Sequence, residues 1–239
     1  MVFVVAAAVG CGKLGTDLNQ VIAIVTAAPD SLEEYDTLVP GAAALNGAGD
    51  TVPATILWTS LDSVLTVLND TTGKTVVSHT RQTGRLQAHL GNLFSNPIAI
   101  RTLAAADTLF ATGVIADTVT LSATTPPDSL SDSLQVELAD TIESSAGADS
   151  LTVPLAGRPV VYAITYANPG AATLVKTDTA HALVTLDTVT TGANGVAFVK
   201  VRLLADALPD SIVVTARARR AIGDTVPGSP VTFFVRFQP

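Results

Sequence analysis

From about position 20 to its end, this chain is a succession of short β-prone runs, each closed within a few residues by Pro, Gly, Asn or Asp. The turn signals recur about every 8–12 residues, which is the spacing of strands in a sandwich or barrel. An amphipathic helix needs a longer stretch with apolar residues three and four apart, and a parallel α/β sheet needs such helices between its strands. Neither pattern is found here. Composition agrees, since 48% of the 239 residues are hydrophobic but only 14% are charged, with Thr, Ser, Ala and Val filling the difference. That mixture favours pleated sheet over solvated helix. The expected fold class is all-β.

The first-half runs are Val21–Thr26, Thr37-Leu38-Val39, Ala42–Leu45, Ala54–Ser60, Val64–Leu68, Lys74–His79, Arg85–Leu90 and Ile98–Leu103. An Ala-rich stretch from Ala104 to Ala116 interrupts the pattern, which then restarts. In the second half the strands read as Asp117–Ala123, Ser133–Leu138, Pro159–Tyr166, Ala182–Leu186, Val196–Leu203, Ser211–Ala218 and Ser229–Phe237, with Ile142–Leu151 as a polar loop. Two tandem β-sandwich domains are expected, at 19–106 and 117–239, joined by a linker at 107–116 and preceded by a signal and tether at 1–18. Pro-Asp-Ser recurs before Leu32, Leu130 and Ile212. The Asp of such a motif bonds nearby backbone N–H groups, and the next apolar residue opens a strand.

The N-terminus carries two signals. Val2 to Val9 is an apolar run of the size of a secretory signal and too short to span a bilayer. Gly10 and Cys11 follow it, and together they resemble a bacterial lipobox, which implies a lipidated Cys11 that binds the membrane and places the protein in the cell envelope. Cys11 is the chain's single cysteine, so internal disulfides and thiolate zinc sites are excluded. Gly10, Gly12 and Gly15 also fit G-x-G-x-x-G. A dinucleotide site would need a helix straight after Gly15, where the chain instead reads as the β-branched run Val21–Thr26. No cofactor is expected.

Candidates for chemistry are few. His79, His89 and His181 stand outside H-x-x-x-H and H-E-x-x-H contexts. His79 and His89 fall on neighbouring expected strands, but a metal would need further ligands nearby. Asp107, Asp117, Asp128, Asp132, Asp140, Glu143 and Asp149 surround the start of the second half. They read as solvated turn carboxylates rather than a calcium site, and no metal is expected. No G-x-S-x-G or P-loop is present, and no Ser or Thr has an identifiable base, so no catalytic residue is assigned. Trp58 reads as core. Tyr162 and Tyr166 are four apart and so should share one face of a strand. With aromatic residues at 5%, an exposed sugar platform is not expected. Arg217, Arg219 and Arg220 form the one basic cluster, read as an outward strand face and turn pairing with neighbouring Asp. The net charge of −8 disfavours nucleic acid.

The run from Leu57-Trp58-Thr59-Ser60 through Asp62-Ser63, the hairpin Gly73-Lys74-Thr75-Val76-Val77 and the closing strand Asn96–Leu103 resemble the bacterial immunoglobulin-like (Big-type) domains of surface proteins. In the second half, Gly157-Arg158-Pro159, Thr191-Gly192-Ala193-Asn194-Gly195-Val196-Ala197 and Ser211–Ala216 are similar to domains of the invasin and intimin type. The resemblance implies a non-enzymatic envelope protein, a stalk or adhesion module whose partners are other surface proteins or polysaccharide. Its cores are expected around Trp58 in one domain and Tyr162, Ile164, Phe198 and Val213 in the other. Two alternatives are an accessory carbohydrate-binding module and a self-associating subunit that pairs through Val231–Phe237 as an edge strand.

Overall fold

The computed structural model describes residues 18–34, 36–120, 129–143, 150–166, 171–176, 184–204 and 210–238. The chain is all-β and forms two compact units whose segments interleave in sequence. One unit holds the described residues up to Asp30, Thr37–Ser78 and Thr83–Ile100; the other holds Ser31–Asp36, His79–Gln82 and Arg101 onward.

In the first unit, β1 (Val21–Ala27) pairs antiparallel with β4 (Gly41–Asn46), and β4 with β5 (Thr51–Val52). The Asn46 side chain makes the turn between β4 and β5, its Oδ1 accepting from the Ala48 and Asp50 N–H groups at 3.0 and 2.9 Å. That is the Asx geometry expected of Asn-Gly in a tight connection. β3 (Thr37–Leu38), β7 (Leu65–Asn69) and β8 (Lys74–Val77) form a second sheet. β6 (Leu57–Ser60) and β10 (Leu93–Phe94) flank β9 (Thr83–Leu90) in a third. Ile24, Ala44, Trp58, Leu65 and Leu86 are buried, so Trp58 is a core residue. Its indole lies against Gly73, whose φ of 71° and missing Cβ are both needed for the hairpin to pass there.

The second unit begins with β2 (Ser31–Glu33), which pairs in parallel with residues 101–103 at the end of β11 (Ile98–Leu103). One of its layers runs in the order β12 (Thr108–Ala111), β14 (Leu134–Glu143), β19 (Val196–Leu203), β17 (Ala172–Val175), with β15 (Ser150–Pro154) also on β14. The other runs β13 (Ala116–Thr120), β21 (Val231–Gln238), β20 (Ile212–Ala218), β16 (Pro159–Tyr166), β18 (Leu186–Thr190). Leu134, Val136 and Leu138 from the first layer meet Tyr162, Val214 and Phe233 from the second in a single apolar core. Lettering β12, β14, β16, β17, β19, β20 and β21 as A to G gives ABED facing CFG, the immunoglobulin-type sandwich.

Several expectations change. Asp107–Ala116 is not a free linker, because Thr108–Ala111 is a strand bonded to β14, and Ala105 and Ala106 are fully or nearly fully buried. The expected loop Ile142–Leu151 begins and ends in the paired strands β14 and β15; its centre lies outside the described residues. Phe198 is 41% exposed because Ala197, Val199 and Val201 take the inward positions of β19, and strand alternation leaves the ring outside. Val213 faces out for the same reason, between buried Ile212 and Val214. β21 is not an edge strand, since it has β20 on one side and β13 on the other. Its backbone is therefore unavailable for the filament pairing considered above.

Tyr162 and Tyr166 do not share a face. The register of β16 against β20 runs Tyr162↔Ala216, Ile164↔Val214 and then Tyr166↔Val213, so Thr165 is one residue too many. This bulge turns Tyr166 to the outer surface, where it is 63% exposed, while Tyr162 is fully buried. The Thr165 hydroxyl donates to the Val213 carbonyl at 3.3 Å and holds the extra residue in place.

Candidate functional site: a buried ion cluster and a sheet face without acids

Both features lie within the second unit. Glu33 has no exposed side-chain surface and pairs with Arg158 (Nη1–Oε1, 3.0 Å). Its Oε2 accepts from the Ala106 N–H at 2.8 Å and its Oε1 from the Ala221 N–H at 3.0 Å. Arg158 donates through Nη2 to the Ala104 carbonyl at 2.7 Å. Beside this pair, Arg220 bridges two carboxylates, Asp36 at 3.1 Å and Asp107 at 2.8 Å. Asp107 also accepts from the Thr141 N–H. Every ion pair here joins segments distant in sequence, so the charges fasten residues 31–36 and the Ala-rich stretch to the sandwich. Burial raises the carboxyl of Asp36 despite the opposing pull of Arg220.

A cavity of about 350 Å³ opens next to the cluster, lined by Glu34, Thr80, Arg81, Ala104, Asp140, Thr141 and Ile142. Asp140 is only 3% exposed. It corrects the expectation of a solvated turn carboxylate: it sits in β14 next to Ala139, which is fully buried. Burial first, and then the negative charges of Glu34 and Asp107, push its pKa up to about 6. The arrangement can hold and release a proton, but among the described residues no nucleophile-and-base pair lines the cavity with Asp140.

The outer face of the β13-β21-β20-β16-β18 sheet is different in kind. Tyr166, Val213 and Phe234 stand directly opposite one another on β16, β20 and β21. Phe234 is 50% exposed. The adjoining row is Leu186, Ala163, Thr215 and Thr232. Arg217 and Arg236 are exposed on the same face, to either side of these rows. The acidic residues of these strands, Asp117 and Asp187, occupy the inward-alternating positions with Val119 and Val189. Arg217 and Arg219 thus lie on an outward face as expected. Arg220 does pair with Asp, but with Asp36 and Asp107 rather than with sequence neighbours.

The remaining candidates stay apart. His79 is exposed in the second unit, beyond the end of β8, whereas His89 belongs to the first unit and lies against Phe94 with ring centres 5.6 Å apart. Asp132 is exposed, and its N–H donates to Asp117. Cys11, the glycine motif, His181, Asp128 and Asp149 lie outside the described residues, as does the side chain of Glu143. Among the described residues no three His, Cys, Asp or Glu side chains come together to hold a metal ion, and no helix is long and apolar enough to cross a membrane. Sequence reasoning gave no role to Glu33 or Asp36, and it met Arg158 only inside the Gly157-Arg158-Pro159 motif. The one trace of the first two was acidic residues directly after a Pro-Asp-Ser-Leu strand entry, where turn chemistry already gave a sufficient account.

No family model and no curated protein matches the chain. Among solved structures it is similar to the adhesin InvE of Yersinia pseudotuberculosis, with 18% identity and a TM-score of 0.37 over 90% of this chain and 59% of that one. It therefore spans about three fifths of the InvE chain. Domains 4 and 5 of the S-layer protein SbsC match with 13% identity and a TM-score of 0.32, covering 92% of this chain and all of that one (100%). Fibronectin(III)-like modules of Clostridium thermocellum CbhA match with 10% identity and a TM-score of 0.40, over 90% and 94% of the two chains. The fold itself rests on the strand order described above.

Proposed function

We propose that this chain is an exported, non-enzymatic cell-envelope protein, held at a membrane by lipid on Cys11, whose immunoglobulin-like sandwiches serve as stalk and interaction module. The observation that carries the reading is the use the fold makes of its buried charge. Glu33, Asp36, Asp107, Arg158 and Arg220 pair with one another and with backbone N–H and C=O groups across the second unit. A catalytic charge must meet a substrate, and these meet each other. They act as a clasp on the segment 31–36, which the chain reaches soon after the tether. The apolar run before Cys11 supports export, and the small residues around it support lipidation. Lipoprotein modification supplies more than one acyl chain, which stable anchoring requires.

Mass spectrometry of the N-terminus from native cells tests this. A diacylated or triacylated Cys11 as first residue is the expected result, and an unprocessed Met1 contradicts the anchor.

A further inference from the structure

We infer that the outer face of the β13-β21-β20-β16-β18 sheet binds an acidic polysaccharide, with Tyr166 and Phe234 as stacking platforms and Arg217 and Arg236 as its carboxylate contacts. This partner class rests on the surface-module reading and makes it more specific.

Four observations converge on that face. Tyr166 points outward only because β16 carries one extra residue, and bulges that re-aim a side chain are enriched next to functional sites. In an unbulged strand Thr165 would pair with Val213, and alternation from Tyr162 would carry Tyr166 into the core. Next, Tyr166 and Phe234 flank Val213 in one cross-strand row, so the two rings stand two strand spacings apart, ~10 Å. That separation suits the stacking of two sugar rings along one chain. The rings are also largely exposed, at 63% and 50%, although aromatic residues make up only 5% of the sequence.

Charge decides the kind of sugar. The chain as a whole carries 21 acidic and 13 basic residues. The outward positions of these five strands carry no Asp or Glu, but they do carry Arg217 and Arg236. Neither arginine forms an ion pair among the described residues. The nearest acids in sequence, Asp210 and Asp224, lie in turns beyond the strand ends. With a Debye length of about 8 Å at physiological salt, the negative charge elsewhere on the molecule is screened at the face. A guanidinium fork matches a carboxylate in two parallel bonds, which suits the carboxylates of an acidic sugar. A uronic-acid polymer supplies rings, hydroxyls and regularly spaced carboxylates together, whereas an acidic peptide lacks the rings and a neutral glycan lacks the charge.

The test uses the purified full chain on a biosensor surface, with polygalacturonate as probe and neutral dextran and polyglutamate as comparisons. The expected result is polygalacturonate binding that weakens with added salt, with little binding of either comparison polymer. Tyr166→Ala and the double variant Arg217→Ala/Arg236→Ala should each lower the affinity tenfold or more. All three substitutions lie on an exposed face, and unchanged circular dichroism verifies that the variants fold. Absence of polygalacturonate binding by the wild-type chain overturns the inference. So does equal binding of polyglutamate, which makes the face a plain basic patch, or binding that Tyr166→Ala leaves intact. Anchoring at Cys11 is read separately by mass spectrometry, so failure here leaves the surface reading standing.

Discussion

Asp140 ties the chemistry of the second unit to pH. Its carboxyl is raised from the usual 3.8 to about 6, mainly by burial and then by Glu34 and Asp107. A folded-state value above the unfolded one means the folded protein holds the proton more tightly. The resulting stabilisation is full below about pH 3.8 and is lost as pH rises through about 6. Asp140→Asn keeps the neutral form at every pH. The variant should therefore match the wild type near pH 4 and exceed it by roughly 2 kcal/mol near pH 7.5, since a tenfold change in proton affinity is worth about 1.4 kcal/mol. Thermal melts across that range check this, and stability curves that run parallel would show that Asp140 is not the titrating group. Gly73 offers a steric counterpart in the first unit. A Cβ there would lie 2.7 Å from both the Trp58 ring and Pro40, on a backbone with φ of 71°. Gly73→Ala should cost about 2–4 kcal/mol in a denaturant titration, from overpacking and left-handed strain together. A loss under about 1 kcal/mol would mean that the hairpin yields easily.

At the level of elements, the strands were largely legible and their surroundings were not. Alternation puts Ile212, Val214, Ala216 and Ala218 on the inward face of β20, because one buried face forces a period of two, and the expectation of Val213 in the core ran against it. The same rule failed for Tyr166, since a single inserted residue reverses the face and leaves no mark in composition. Phe198 was misplaced by size, for a large ring invites a core assignment even where alternation points it outward. β2 was invisible as part of the second unit because the partners of its Glu33, Arg158 and the Ala221 N–H, are more than 120 residues away. Its attachment predicts its energetics. Glu33→Ala removes the partner of Arg158 and the acceptor for one buried and one part-buried N–H group, and should cost about 3–5 kcal/mol. Adding Arg158→Met should recover roughly 1–2 kcal/mol, because no guanidinium is then left buried without its partner. Hydrogen exchange at Leu32 and Glu33 should quicken in the single variant. Unchanged protection there would mean that apolar packing of Leu32 alone holds the strand.

For the molecule as a whole, the all-β class was legible from turn spacing, while the division of the chain was not. Composition marked Ala104–Ala116 as a boundary, yet small residues there serve close packing, with Ala105 and Ala106 buried and the Ala106 N–H bonded to Glu33. With a single cysteine, stability is left to apolar packing and to this clasp. In the proposed function the chain is a displayed, chemically inert scaffold that offers one sheet face to a partner. An antibody raised against the second unit, applied to intact native cells, tests that display most directly. The predicted result is labelling of unbroken cells that disappears when Cys11→Ser releases the protein into the medium. Labelling that occurs only after the cells are permeabilised would contradict it.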